Sequence, residues 1–291
     1  MLAIYVLEHS IKRHTDANVE VTPMVDLRVP APKDPRNGQR TGFSFSRFCI
    51  PELAEYQGKA IYMDADMLVF QDIQGLWDIP FDGAKVVIQK EVLHENITLR
   101  KVGAPRKRQK QCAVMLLDCG RLDWEINDII GAMNDGKYDY EGLMYDLCIL
   151  NEDEVKFGVP FEWNSLEHYD SQTCLIHYTD VYTQPWSSIG NRWGELWFEE
   201  VRLMLRDGTL TWGQLREEIN RGYFRPSLIF DIRYRHRIPK WLRRFVDKHN
   251  AWKDKISGYV PHKDVYFQKR IRQQAIKEYE ARIAAQSNKE K

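Results

Sequence analysis

No stretch of this chain approaches the ~18 consecutive apolar residues of a membrane-spanning helix. Its start, Met1-Leu2-Ala3-Ile4-Tyr5-Val6-Leu7, carries no basic leader, and Glu8-His9 close the short apolar run, so it does not read as a secretory signal. Cysteine is scarce: five residues, odd in number and without Cys-x-x-Cys spacing. That speaks against a disulfide framework or a zinc site and for a reducing cytosol, with the thiols as small buried side chains. Without a secretory signal the one Asn-x-Thr sequon, Asn96-Ile97-Thr98, means little. Internal repeats are absent, and low complexity is confined to the last few polar residues.

What remains is an ordinary globular composition, 43% hydrophobic and 29% charged over 291 residues, enough for one large α/β domain with an appendage. The net charge of zero conceals an asymmetry. Residues 213–291 hold 20 Lys and Arg against 9 Asp and Glu, a net +11, which leaves −11 for residues 1–212. An acidic catalytic front (1–212) and a basic, aromatic, helical extension (213–291) are therefore expected to meet different partners.

Ile4, Leu7 and Ile11 share a helical spacing, and Val19–Val25 alternates as a strand does. Residues 29–42, rich in Pro, Gly, Lys and Arg, read as a loop. Strands are expected at Ala60–Met63, Lys85–Gln89 and Cys112–Leu117, and a helix from about Asp123. Strands separated by helical patterns predict a mostly parallel central sheet flanked by helices, with ligands gathering at the carboxyl ends of strands. In the tail, a helix from Pro239 to His249 places Trp241, Leu242, Phe245 and Val246 on one face among Lys240, Arg243, Arg244 and Lys248. A last helix is expected over Asp264–Gln286.

The most informative residues are Asp64-Ala65-Asp66, two carboxylates set in the apolar run from Ala60 to Phe70. Chance supplies such a triplet about once in a chain of this size. Its setting is less ordinary, because buried carboxylates need a cation, strong donors or water. A divalent metal carrying a phosphorylated substrate satisfies both. His177 closes the apolar run Cys174-Leu175-Ile176, where it is either a hydrogen-bonded structural residue or the nitrogen ligand of an Mn²⁺-like site. Arg47, in Ser44-Phe45-Ser46-Arg47-Phe48, suits a phosphate, a sugar hydroxyl or an ordinary salt bridge.

In order along the chain, Thr41–Phe48, Gly58–Asp66, Asp72–Trp77, Val114–Asp118, Trp163-Asn164 and His177 with Pro185-Trp186 resemble the family 8 glycosyltransferases, the group of glycogenin and bacterial lipopolysaccharide galactosyl- and glucosyltransferases. The resemblance covers roughly residues 2–190 and implies a GT-A fold. It also implies a UDP-sugar-like donor held through Mn²⁺ or Mg²⁺, and retention at the anomeric carbon. Asp64, Asp66 and His177 match the metal ligands, and Arg47 matches a basic residue near the donor sugar. A Lewis-acid cation suits a diphosphate leaving group.

Several positions depart from the family pattern. The strand that holds the nucleotide base precedes the helix in which this chain begins, so base binding is not expected from these residues. Where the family has Asp-Gln-x-x-Leu-Asn, Asp146 is followed by Leu147; Asp146 is either the carboxylate of the catalytic region or a helix-cap acceptor. Gln111 stands where an Asn commonly contacts the sugar, and Gln184 near the usual phosphate-binding Lys. With Leu147 unable to act as nucleophile, a front-face transfer in which the departing phosphate takes the acceptor proton is expected.

The reading is thus a cytoplasmic, metal-dependent hexosyltransferase acting on a glycan, lipid-linked or envelope acceptor. The tail either touches the inner face of a membrane or packs on the body or on a second subunit. Nucleic acid is not an expected partner, since no binding motif accompanies the charge. Two rivals stand: a metal-dependent sugar nucleotidyltransferase, which usually has an N-terminal Gly-rich basic loop absent here, and a non-catalytic, degenerate glycosyltransferase domain. Donor sugar, linkage and oligomeric state have no legible code; acceptor choice is expected to depend on the loop over 93–111 and on the tail.

Overall fold

Apolar residues at helical spacing wind the start of the chain into helix α1 (Leu2–Arg13), whose Leu2, Val6, Leu7 and Ile11 are buried. The computed structural model describes residues 2–90 and 110–288. An irregular segment leads from α1 to helix α2 (Ile50–Leu53) and strand β1 (Lys59–Met63). Strand β2 (Met67–Val69), helix α3 (Gln74–Trp77) and strands β3 (Val86–Lys90) and β4 (Lys110–Asp118) follow. After helices α4 (Ile126–Asn134) and α5 (Tyr140–Asp146) come three short strands, β5 (Val155–Phe157), β6 (Ser165–Leu166) and β7 (Leu175–His177). The remainder is helical: α6 (Gly194–Asp207), α7 (Trp212–Asn220), α8 (Leu228–Tyr234), α9 (Lys240–Ile256) and α10 (Lys263–Ser287).

The architecture is α/β, in two sheets ordered β1-β4-β3-β5 and β2-β7-β6. Pairing is mixed where a mostly parallel sheet was expected. β3 with β5 and β6 with β7 run parallel, whereas β1–β4, β3–β4 and β2–β7 are antiparallel. The reason is visible in β4. Met115 and Leu117 join Val86 and Ile88 in a core closed by Ile129, Ile130 and Leu143 of α4 and α5. Val114 and Leu116 join Val87 in another, closed by Leu7 and Ile11 of α1 and by Met67, Val69 and Leu175 of the second sheet. A continuous apolar run records burial on both faces, and that burial is compatible with either strand direction.

The alternating stretch Val19–Val25 forms no strand. Pro23 cannot donate to a ladder, and Val19 and Met24 instead rest partly buried against different cores. Cys49, Cys112 and Cys119 are buried as expected, Cys174 is half-buried, but Cys148 is exposed. The sequon at Asn96 and most of the loop thought to govern acceptor choice lie outside the described residues.

A further core gathers Leu2 and Val6 of α1, Leu68, Ile176, Trp186, Trp197 and Val201 together with Leu215, Phe224, Leu228 and Ile232. Helices α7 and α8 thus pack into the same body as α1 and α6. Deep within it Arg225 donates to Asp231 at 2.5 Å, both side chains 1% exposed. Arg225 also donates to Ser227 Oγ, and Asp254 of α9 accepts from the Ser227 amide (2.7 Å) and hydroxyl (2.6 Å). This network ties α9 to the body. Removing one member of a buried ion pair strands the other charge, so Asp231→Ala is expected to lower unfolding stability in denaturant by about 3–5 kcal/mol. Glu217→Ala, at the surface pair with Arg221, is expected to cost less than about 1 kcal/mol. Equal losses would contradict the anchoring role.

Candidate active site

β1 ends at Met63 opposite Val114, and the next amide, of Asp64, donates to Ala113 O at 3.0 Å. This bond extends the β1–β4 ladder by one pair; on the other side of β4 the β3–β4 register jumps, Ile88 facing Met115 while Gln89 faces Gln111, which leaves residues 112–114 unmatched toward β3. Cys112 O accepts from Arg47 Nη1. One residue before Gln111, Lys110 Nζ donates to Asp146 O and to Glu152 Oε1, both at 2.8 Å. Four residues of extended chain span about 10 Å. The first part of β4 therefore holds Arg47, Asp64 and the backbone of Asp146 within one neighbourhood.

Tyr62 and Asp64 sit two apart and share a strand face. The Tyr62 hydroxyl donates to Asp64 Oδ1 at 2.5 Å and accepts from Arg47 Nη2 at 3.1 Å, while the guanidinium lies 4.5 Å from the phenol ring centroid. Burial and the Asp64 carboxylate push the Tyr62 hydroxyl far above its ordinary pKa, so it remains a donor. Burial works against the Arg47 charge, but Tyr62 and Asp64 outweigh it and raise its pKa. Arg47 Nε has no partner among the described residues.

Asp66 follows at the turn into β2. Its Oδ1 lies 3.1 Å from His177 Nε2, and its Oδ2 accepts from Gln184 Nε2 at 3.0 Å. β2 pairs with β7 with Met67 opposite His177, which brings the imidazole beside the acidic turn. Asp64, Asp66 and His177 each offer a ligand atom, all within 4.8 Å of one another. Two carboxylates and an imidazole form a mixed O/N donor set that suits Mn²⁺ or Mg²⁺. Burial disfavours the imidazolium of His177, yet contact with Asp66, and Asp64 beyond it, raise its pKa above the ordinary value.

Of the residues singled out in the sequence, Arg47, Asp64, Asp66, His177 and Gln184 converge. Ala65 lies in the turn between the two carboxylates, and Gln111 is buried on β4 as the Cα partner of Gln89. Asp146 is the last residue of α5, followed by buried Leu147 in the left-handed region at φ 49°. Sequence reasoning gave no role to Tyr62, Lys110, Gln89 or Asn164. Tyr62 left a signal in its two-residue offset from Asp64, and Asn164 in the Trp163-Asn164 pair of the family resemblance; Lys110 and Gln89 arrive through register and long-range packing.

The family model described as Glycosyl transferase family 8 matches residues 7–114, which include Arg47, Asp64 and Asp66. Protein CDI of Arabidopsis thaliana is 30% identical over 223 residues, covering 69% of this chain and 81% of that protein. The chain belongs to glycosyl transferase family 8. Its members transfer glycosyl groups, and the GT-A class of α/β fold comes with membership. Among solved structures, the chain is similar to the bifunctional glycosyltransferase WbbM (TM-score 0.45, 17% identity, 69% of this chain and 47% of that one). It is also similar to the galactosyltransferase LgtC in complex with donor and acceptor sugar analogs (TM-score 0.38, 17% identity, 58% and 67%). Likenesses of that size add no weight to the assignment, and the chain spans about half the length of WbbM.

Protonation of His177 sets a pH dependence for any cation held there. In the metal-free protein, its pairing with Asp66 contributes stability that is fully present below the ordinary value of 6.5 and is lost as pH rises through the raised one. Cation binding runs the other way, because the imidazole must give up its proton. Calorimetric Mn²⁺ affinity is expected to rise with pH across that window; a flat profile would separate His177 from the site.

Proposed function

We propose that this family 8 protein is a metal-dependent, retaining hexosyltransferase that takes a sugar from a UDP-sugar-like donor. The observation that carries the proposal is the Asp64–Asp66–His177 cluster beside buried Arg47 at the end of β1. When bound, a divalent cation supplies Lewis-acid stabilisation to the departing diphosphate. Arg47 adds fixed positive charge next to Asp64, and Gln184 holds the second oxygen of Asp66, so that its carboxylate is oriented before any ligand arrives. To Asp146, whose backbone carbonyl accepts from Lys110 Nζ, we assign the role of orienting sugar hydroxyls. With a buried leucine after it, no side chain there serves as nucleophile. The acceptor oxygen then bonds to the anomeric carbon as the bond to phosphate breaks, and the acceptor proton passes to the departing diphosphate.

Family membership sets aside the nucleotidyltransferase alternative, and the convergence of the ligand set disfavours a degenerate domain. The test is hydrolysis and transfer across a UDP-sugar panel. Turnover is expected only with Mn²⁺ or Mg²⁺ and is expected to fall at least 100-fold in Asp64→Ala, the scale on which transition-state charge stabilisation acts. Metal-independent turnover, or an Asp64→Ala variant as active as the wild type, contradicts the proposal.

We place the catalytic residues within 1–212 and propose that, within 213–291, helix α9 makes a cytoplasmic-face membrane contact that brings the enzyme to a glycan-bearing or lipid-linked acceptor, α7 and α8 being packed into the body. Helix α9 motivates this. Its polar Asn250 and Asp254 are buried, while Trp241 (75%), Phe245 (65%), Trp252 (58%) and Ile256 (62%) are exposed. These four share one helical face, and Arg244, Lys248, Lys253 and Lys255 are exposed on the same helix. Leu242 and Val246, expected on that face, are turned partly inward. No helix among the described residues is long and apolar enough to cross a membrane. An aromatic face with basic borders fits the surface of an anionic bilayer. Vesicles containing an anionic phospholipid are expected to co-sediment the wild type but not Trp241→Ala/Phe245→Ala/Trp252→Ala, and neutral vesicles to bind both weakly. Equal sedimentation of the two proteins, or none, ends the membrane proposal.

A further inference from the structure

We infer that Gln89 and Asn164 are positioning residues that hold His177 in the Nδ1–H tautomer and so present its Nε2 lone pair to the space between Asp66 and Asp64. The inference rests on the metal-dependent reading above for its purpose, though not for its geometry. Asn164 is completely buried and Gln89 is 3% exposed. Asn164 Nδ2 donates to Gln89 Oε1 at 2.8 Å, which leaves Asn164 Oδ1 for His177 Nδ1, 3.0 Å away. An amide oxygen only accepts, so Nδ1 carries a hydrogen. The Asp66 carboxylate also only accepts, so the metal-free ring can hold a second hydrogen on Nε2, and it is this one that must leave for a cation to bind. On the far side of the ring, Nε2 faces Asp66 Oδ1.

The polarity of this chain is a choice with a visible cost. Gln89 Nε2 is buried without a partner among the described residues. Turning both amides round would employ that N–H against Asn164 Oδ1 and orphan the Gln89 carbonyl instead. It would also aim Asn164 Nδ2 at His177 Nδ1, drive the ring hydrogen onto Nε2, and close the position a cation needs. The unpaired Gln89 N–H is therefore the counterpart of an imidazole set for ligation. The register jump falls between Ile88 and Gln89, so the irregularity that leaves the Cys112 carbonyl to Arg47 also fixes where Gln89 enters the core. Hydrogen-bond partners of ligating histidines commonly set tautomer and basicity, and losing them costs about 10–100-fold in metal affinity.

The test reads the tautomer directly, in metal-free full-length protein at alkaline pH, by long-range ¹H–¹⁵N correlation of the His177 ring, with Mn²⁺ calorimetry alongside. Wild type is expected to show Nδ1–H. Asn164→Leu is expected to move His177 to Nε2–H, paired with Asp66, and to weaken Mn²⁺ binding about 10–100-fold. Asn164→Asp still accepts from Nδ1–H and is expected to keep the wild-type tautomer. Gln89→Leu frees Asn164 to turn and is expected to give both tautomers; it also serves if Asn164→Leu does not fold. An Nε2–H wild type, or leucine variants with unchanged tautomer and Mn²⁺ affinity, overturns the inference. Mn²⁺ binding that is lost in Asp64→Ala but intact in Asn164→Leu leaves the metal reading standing and removes the positioning one. A wild type with Nδ1–H that binds no Mn²⁺ does the reverse.

Discussion

The site depends on one irregularity, the jump in register where β3 meets the start of β4. A regular β3–β4 ladder would have paired the Cys112 carbonyl with β3. Instead it accepts from the Arg47 guanidinium, while the Ala113 carbonyl on the other edge of β4 carries the β1–β4 ladder on to the amide that leads into the acidic turn. Charged groups at the end of an apolar sheet survive only when backbone or side-chain dipoles meet them. Here the sheet itself provides those dipoles, so the Arg47–Tyr62–Asp64 chain sits at the edge of the core rather than in open solvent.

Two ion-pair systems in the molecule differ in how far they are satisfied. Around Arg225, the guanidinium, Asp231, Ser227 and Asp254 meet one another at short distances and join α9 to the body. Near the acidic turn, Arg47 Nε and Gln89 Nε2 are left over among the described residues, as are atoms elsewhere, Asn250 Nδ2 of α9 among them. Unpaired buried polar atoms are uncommon in folded proteins and cluster where structure is held ready for something else.

Much of this was legible in the sequence. The strands at Lys59–Met63, Val86–Lys90 and Lys110–Asp118 followed from short apolar runs, and the family resemblance from motifs in a fixed order. The convergence of Asp64, Asp66 and His177 could be expected from that order alone. Strand direction was not readable, because β4 is buried on both faces whichever way its neighbours run. Nor was the contribution of Gln89 and Asn164, which lie 75 residues apart and meet only through the bulge and the approach of β7. The face that α9 turns outward was half legible: spacing grouped Trp241 with Phe245, but only the buried Asp254 decides that Leu242 and Val246 turn inward.

The central claim is that the acidic turn and His177 together hold a divalent cation. Anomalous diffraction at the manganese edge, from crystals grown with Mn²⁺ and a uridine diphosphate, addresses it directly. The account predicts one peak within coordination distance of an oxygen of Asp64, an oxygen of Asp66 and Nε2 of His177. Manganese bound elsewhere, with the His177–Asp66 contact intact, would contradict it.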